Sequence, residues 1–118
     1  MAMAYKQEAA KQIREELRRQ LPPEVFEDEV AEKKMFGGLA FMVRGKMCIC
    51  ASGRDEVLVM ARIGKKRQNA LLPIAGASVT IMRGRPCQGY IALDKNAYEN
   101  LSFWVSQALG YNLELIKE

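Results

Sequence analysis

The apolar residues of the first twenty positions recur at helical intervals. Ala10, Ile13, Leu17 and Leu21 lie three or four apart while Lys, Arg and Glu fill the other positions, so the spacing predicts an amphipathic helix over 4–20. Pro22 and Pro23 stop it. From Lys34 the period changes. Apolar runs at 36–43 and 47–51 are separated by Arg44-Gly45-Lys46, and a third run at 57–63 follows the polar turn Ser52-Gly53-Arg54-Asp55, which describes a meander of three antiparallel strands. Gly37-Gly38 marks a bulge, a close backbone approach or the beginning of the first strand. Residues 64–72 suit a two-turn helix with Ile63, Arg67, Ala70 and Leu71 near one face, ended before Pro73. Runs at 78–82 and 88–93 flank Arg83-Gly84-Arg85-Pro86 and form a second hairpin. Asp94 supplies an N-cap oxygen to a last helix, with Ala97, Leu101, Trp104, Val105 and Ala108 along one stripe and Gly110 in the left-handed C-terminal position. Beyond it Tyr111, Leu113 and Leu115 alternate with polar residues, which fits an edge strand or a continued helix. The order is α-β(3)-α-β(2)-α: one two-layer α+β domain over 1–118, with an antiparallel sheet of about five strands packed by helices.

Composition narrows the class without naming an activity. A chain of 118 residues, 49% apolar, buries roughly 65% of its unfolded surface, enough for one core without disulfide or metal staples. The longest weakly polar stretch, 71–82, contains Pro73 and Gly76 and falls short of the ~20 apolar residues of a membrane span. The first twenty residues are too charged for a secretory signal, so a cytoplasmic protein with reduced thiols is expected. Charge is segregated. Residues 1–32 carry net −3 and 91–118 net −2, whereas 33–90 carry net +9. Acidic flanking helices that fold back would neutralise that middle; otherwise it faces phosphates or an acidic partner.

The chain has no His, which removes the commonest general base, His-dependent Ser and Cys nucleophiles, and most zinc or iron sites. Cys48 and Cys50, two apart in a strand, are expected on one face, too far apart for a relaxed disulfide. With Cys87 they give three thiolates, one short of a structural zinc site, so buried packing is the favoured reading. Carboxylates at Glu15-Glu16, Glu27-Asp28-Glu29 and Asp55-Glu56 read as solvated surface. Met35, Met42, Met47, Met60 and Met82 concentrate in the predicted strands, where core filling is the first reading and an adaptable binding surface the second. Phe36 and Tyr90 near basic residues are too few for a stacking platform.

Two blocks carry a resemblance. Residues 34–43, Lys-Met-Phe-Gly-Gly-Leu-Ala-Phe-Met-Val, followed by Gly45-Lys46-Met47, resemble the opening signature of the TfoX N-terminal domain family. Gly84-Arg85-Pro86, then Gly89-Tyr90-Ile91 and Asp94, is similar to that family's G-R-P-M-x-G-W-V-x-V-D segment, with Cys87 for its usual Met and Tyr90 for its Trp. The similarity covers about residues 30–110. It implies a two-layer fold similar to type III secretion chaperones, with a five-stranded antiparallel sheet. Members named TfoX regulate bacterial natural competence in transcription, with the cyclic-AMP receptor protein, and carry a second domain. The resemblance supplies no catalytic residue; Gly37, Gly38, Gly45, Gly84, Pro86 and Gly89 are motif positions of the kind a fold needs.

These observations lead to a non-enzymatic regulatory or protein-interaction domain that needs no cofactor, metal or membrane. The rival is a nucleic-acid-binding module using Arg44, Lys46, Lys65, Lys66, Arg67, Arg83 and Arg85, and a thiol redox role for Cys48, Cys50 or Cys87 is a third expectation. A homodimer is expected from the chaperone-like fold and the edge-strand form of the tail.

Overall fold

A computed structural model of the chain describes residues 7–35, 37–54 and 56–117. Residues 1–6, which include the start of the predicted N-terminal helix, Phe36 of the first predicted strand, Asp55 of the predicted polar turn and the final Glu118 lie outside the described residues. The elements are α1 (Gln7–Gln20), α2 (Pro23–Glu29), β1 (Val30–Met35), β2 (Gly38–Val43), β3 (Lys46–Ala51), β4 (Val59–Arg62), α3 (Lys65–Leu71), β5 (Ala77–Met82), β6 (Arg85–Leu93), α4 (Lys95–Tyr98) and α5 (Leu101–Ile116). The strands form one open sheet in the order β1-β2-β3-β4-β6-β5, every neighbouring pair antiparallel. The α+β class and helix-covered antiparallel sheet follow the periodicity, and the expected count of about five strands is approximate. The sheet has six strands.

The extra strand is β1, four of whose six residues are exposed. It is an edge strand rich in charge, Val-Ala-Glu-Lys-Lys-Met, so it carries no apolar alternation to read. Before it, Pro23 opens α2 instead of ending structure, because a first-turn position needs no N–H and favours proline's φ. The two Arg-Gly turns are alike. Arg44 and Gly45 have φ of 54° and 80°, and Arg83 and Gly84 have 53° and 76°, the double positive φ of a two-residue type I′ hairpin. Gly38 makes the close backbone approach, since a Cβ there would lie 2.0 Å from the carbonyl oxygen of Ala51.

The main core lies between the sheet and α1, α4 and α5. Ile13 and Leu17 of α1 meet Phe41, Ile49, Ile91 and Leu93 of the strands and Trp104 and Val105 of α5, all with no measurable exposure. Asp94 caps α4 as the sequence predicts, its carboxylate accepting from the backbone N–H groups of Asn96 (2.8 Å) and Ala97 (3.2 Å). The last helix is however two helices, interrupted at Asn100, where ψ is 39°. Gly110 does not end it. The helix runs on to Ile116, and the missing Cβ at Gly110 leaves a notch in which the Arg67 guanidinium lies, 3.1 Å from where a Cβ would sit. The tail is therefore helical, burying Ala108, Leu109 and Asn112 rather than the 111, 113, 115 set of a strand. In α3 the buried position is Gln68, while Arg67 is half-buried and Ala70 exposed, which corrects the face expected there.

Candidate functional site: the bare sheet face and the basic end

A bulge in β3 determines what each side of the sheet displays. Phe41 pairs with Ile49 and Met42 with Met47, leaving Cys48 as the extra residue. The insertion breaks the two-residue alternation. Cys48 packs into the main core and Cys50 into a second cluster, so the two thiols do not share a face as strand periodicity predicts. Burial pushes both thiols up to about 12, and the Arg44 and Arg62 charges near Cys48 only partly oppose this. Neither is poised as a thiolate.

The second cluster consists of Ala40, Met47, Cys50 and Met60, with Met35, Met42, Met82 and Tyr90 packed against them. All six strands contribute and no helix does. Of the seven methionines in the chain, the five among the described residues all lie here, and the main core has none. Met47 and Met60 are 6% exposed and Met35, Met42 and Met82 half-buried. Flexible thioether chains thus cover Ala40 and Cys50 where a second layer of helix would otherwise be needed.

The same register carries the basic residues to one end of the sheet. Val30 pairs with Val43, Arg62 with Tyr90, and Met82 with Arg85. The β2–β3 turn, the β4–α3 junction and the β5–β6 turn therefore lie together, bringing Arg44, Lys46, Lys65, Lys66, Arg67, Arg83 and Arg85 to one end. They are not equivalent. Arg44 donates to Oδ1 of buried Asn112 (3.1 Å), and Arg67 pairs with Glu114 (2.7 Å), whereas Lys46, Lys65, Lys66, Arg83 and Arg85 are exposed. Among the described residues, Arg67–Glu114 is the one ion pair that ties the basic segment to an acidic flank; Arg14–Glu32 and Arg19–Glu16 lie within the N-terminal segment.

Three residues that spacing did not single out organise this end. Arg62 lies over the rings of Tyr90 (5.7 Å) and Tyr111 (6.0 Å). Asn112, 1% exposed, donates Nδ2–H to the carbonyl of Val43 at 2.9 Å and so ties α5 to the hairpin. Gln68, 5% exposed, satisfies the backbone where β6 leaves the ladder: its Oε1 accepts from Gly89 N–H (3.0 Å), and its Nε2 donates to the carbonyls of Tyr90 (2.8 Å) and Cys87 (3.4 Å). Gly89 has φ of 87° and its carbonyl accepts from both Ile63 and Gly64. The motif positions are thus structural: Gly37, Gly45, Gly84 and Gly89 have positive φ, Gly38 makes the close approach, and Pro86 pairs with Ile81.

Among the described residues no group of three or more His, Cys, Asp or Glu side chains could hold a metal ion, and no helix is long and apolar enough to cross a membrane.

These features define an α+β domain with helices on one face of an open six-stranded sheet and a methionine-lined opposite face. A family model described as TfoX N-terminal domain matches residues 21–111, and the chain belongs to that family. No curated protein and no solved structure matches it.

Proposed function

We propose that the domain is a non-enzymatic regulatory module that works by binding another protein on its bare sheet face. The observation that carries this reading is the placement of every described methionine on the face without helices. The inner residues Ala40, Met47, Cys50 and Met60 are 0–6% exposed, so the accessible apolar area is that of half-buried Met35, Met42, Met82 and Tyr90; no helix packs on it, and unbranched thioethers repack around different shapes at little cost. Membership of the TfoX N-terminal domain family supports a regulatory role in transcription. The test compares affinity capture from native lysate by the wild-type chain and by the double variant Met35→Ser, Met42→Ser, whose sites are half-buried and at the periphery of the cluster. A stoichiometric protein recovered by the wild type and lost by the folded variant is the expected result. Equal recovery by both, or none at low and moderate salt, refutes the reading.

A second reading, nucleic-acid binding, is favoured by the convergence of both Arg-Gly turns and the start of α3 at one end of the sheet. Fluorescence anisotropy with duplex and single-stranded DNA and RNA at two salt concentrations tests it. Binding through Lys65 and Lys66 must weaken steeply with salt and with charge reversal at those residues; affinity indifferent to both removes it.

A further inference from the structure

Resting on the reading of the bare face as a docking surface, we infer that its occupant is an acidic amphipathic segment of a partner protein, one apolar side chain of which enters a small cavity beneath β5. The cavity, about 150 Å³, is lined by Cys50, Met60, Thr80, Met82 and Ala92, with Arg54 of the β3–β4 loop also in its wall. The β5–β6 ladder is irregular beside it. Val79 pairs with Ile91 but Ile81 already pairs with Pro86, so two steps along β5 span five along β6, and the end of the hairpin is bent relative to the ladder. A cavity of about 150 Å³ takes a benzene-sized group, that is, one Leu, Met or Phe side chain.

Two further observations specify the occupant. Thr80 is 3% exposed and lines the cavity, yet its Oγ1 has no hydrogen-bond partner among the described residues. An unpaired buried hydroxyl is costly, and the thioether of a Met entering the cavity would accept from it. The charge is also one-sided. The register places Lys33 beside Ala40 and Arg85 beside Met82 on the bare face, and Arg62 beside Tyr90 at its end, where it also lies over Tyr111 of α5; no acidic strand residue is on this face. Glu32, the acidic residue of β1, is on the other side, bonded to Arg14 of α1. A segment with an apolar stripe and acidic flanks matches this field, whereas a nucleic acid would find Tyr90 as the cluster's one aromatic ring.

The probe is a displayed library of random peptides about 16 residues long, which as helices span about 24 Å, the width of a six-stranded sheet at about 4.8 Å per strand. The full chain, labelled at its methionine ε-methyl groups, is then titrated with the enriched peptides. Enrichment of net-negative peptides with Leu, Met or Phe at three- and four-residue spacing is expected, with the Met60 and Met82 methyl signals shifting most. Ala92→Leu, which fills the cavity, should weaken them at least about tenfold. Should that variant not fold, Thr80→Val keeps the side-chain shape while removing the hydroxyl, and should weaken them several-fold. No enriched peptide, or unchanged affinity in the folded cavity variant, overturns the inference. Peptides that shift Met60 and Met82 but carry no net negative charge refute the acidic partner and leave the docking face standing; peptides that bind without shifting either signal remove both.

Discussion

Replacing Gln68 by Leu tests whether one buried side chain holds the bulge of β6 in place. Leucine matches the glutamine closely in volume, so the packing of α3 against β6 survives while three polar contacts vanish. The Gly89 N–H, bonded at 3.0 Å, loses its acceptor, and the carbonyls of Tyr90 and Cys87 lose a donor at 2.8 and 3.4 Å. A buried donor left unpaired costs about 1–3 kcal/mol, and a carbonyl that loses one bond costs less, so the sum is about 2–4 kcal/mol, with the long Cys87 contact adding little. Against a typical total of about 5–15 kcal/mol this is a large fraction. Unfolding entropy of ~2.1 cal/mol/K per residue over 118 residues makes a loss of about 3 kcal/mol equivalent to a fall of about 12 °C in Tm. Urea and thermal unfolding followed by Trp104, the single tryptophan and fully buried, measure both, and amide exchange at Gly89 reports the site itself. Gln68→Glu separates the polar effect from packing. Its ionised carboxylate still accepts from Gly89 but faces two carbonyl oxygens, so it destabilises at neutral pH and recovers in part on acidification, when the carboxyl gains a proton to donate. A loss under about 1 kcal/mol in Gln68→Leu, with unchanged Gly89 exchange, would refute the role given to this residue.

Asn112→Ala strips the Val43 carbonyl and the Arg44 guanidinium of a partner at a site 1% exposed, so stability should fall by about 2–3 kcal/mol; a change under about 0.5 kcal/mol, the range of ordinary surface substitutions, contradicts the tie between α5 and the hairpin. Native protein treated with iodoacetamide near neutral pH should react at Cys87, which is half-buried, while Cys48 and Cys50, with thiols pushed up to about 12, react only on unfolding; rapid labelling of either in the folded chain disproves the inert assignment. Hydrogen bonding to Arg14 and to Arg67 holds the carboxyls of Glu32 and Glu114 below their usual 4.5. Their contribution to stability is therefore full above that value and lost as pH falls through the lower folded values; it is small because both are solvent-accessible, and a Glu32→Gln variant with the same acid dependence as wild type argues against it. Light scattering at tens of micromolar should show a dimer paired along β5, whose uncharged edge and exposed Val79 and Ile81 contrast with charged β1; a monomeric wild type, or a dimer that survives Ile81→Lys, rejects this pairing.

How far the sequence reveals the fold depends on whether local chemistry and long-range packing agree. The helical stripes of α1 and α5, the Asp94 cap and both Arg-Gly turns are visible because each is specified within a few residues. β1 is hidden because an edge strand that must avoid aggregation replaces apolar alternation with charge. The faces of Cys48 and Cys50 are lost for another reason: a single bulge inverts every inference from period two beyond it. Gly110 misleads because a glycine within a helix and one that ends a helix look alike until Arg67, forty-three positions away, is placed against it. Gln68 and Asn112 give no local signal at all. Each is a polar residue inside a helix whose partner is backbone in a distant strand, and only the tertiary arrangement shows that it is buried.

The methionines show the same division between what a fold requires and what a surface offers. Glycines at 37, 45, 84 and 89 are tied to positive φ, and any change there strains the backbone. The methionine positions have no such constraint, since Leu, Ile or Val would satisfy a strand facing a core at least as well and would be stiffer. The main core follows that rule and contains Ile, Val, Leu and Phe but no described methionine. If the bare face were simply a weaker core, it should have the same composition and a helix over it. Instead β1 to β5 contribute flexible or small residues, and β6 contributes Tyr90, to a surface bordered by Lys33, Arg62 and Arg85. A composition that sacrifices rigidity only on the uncovered side is what adaptable binding requires. Repacking it with branched residues should therefore raise stability while lowering affinity for whatever binds there, a trade that a purely structural face would not show.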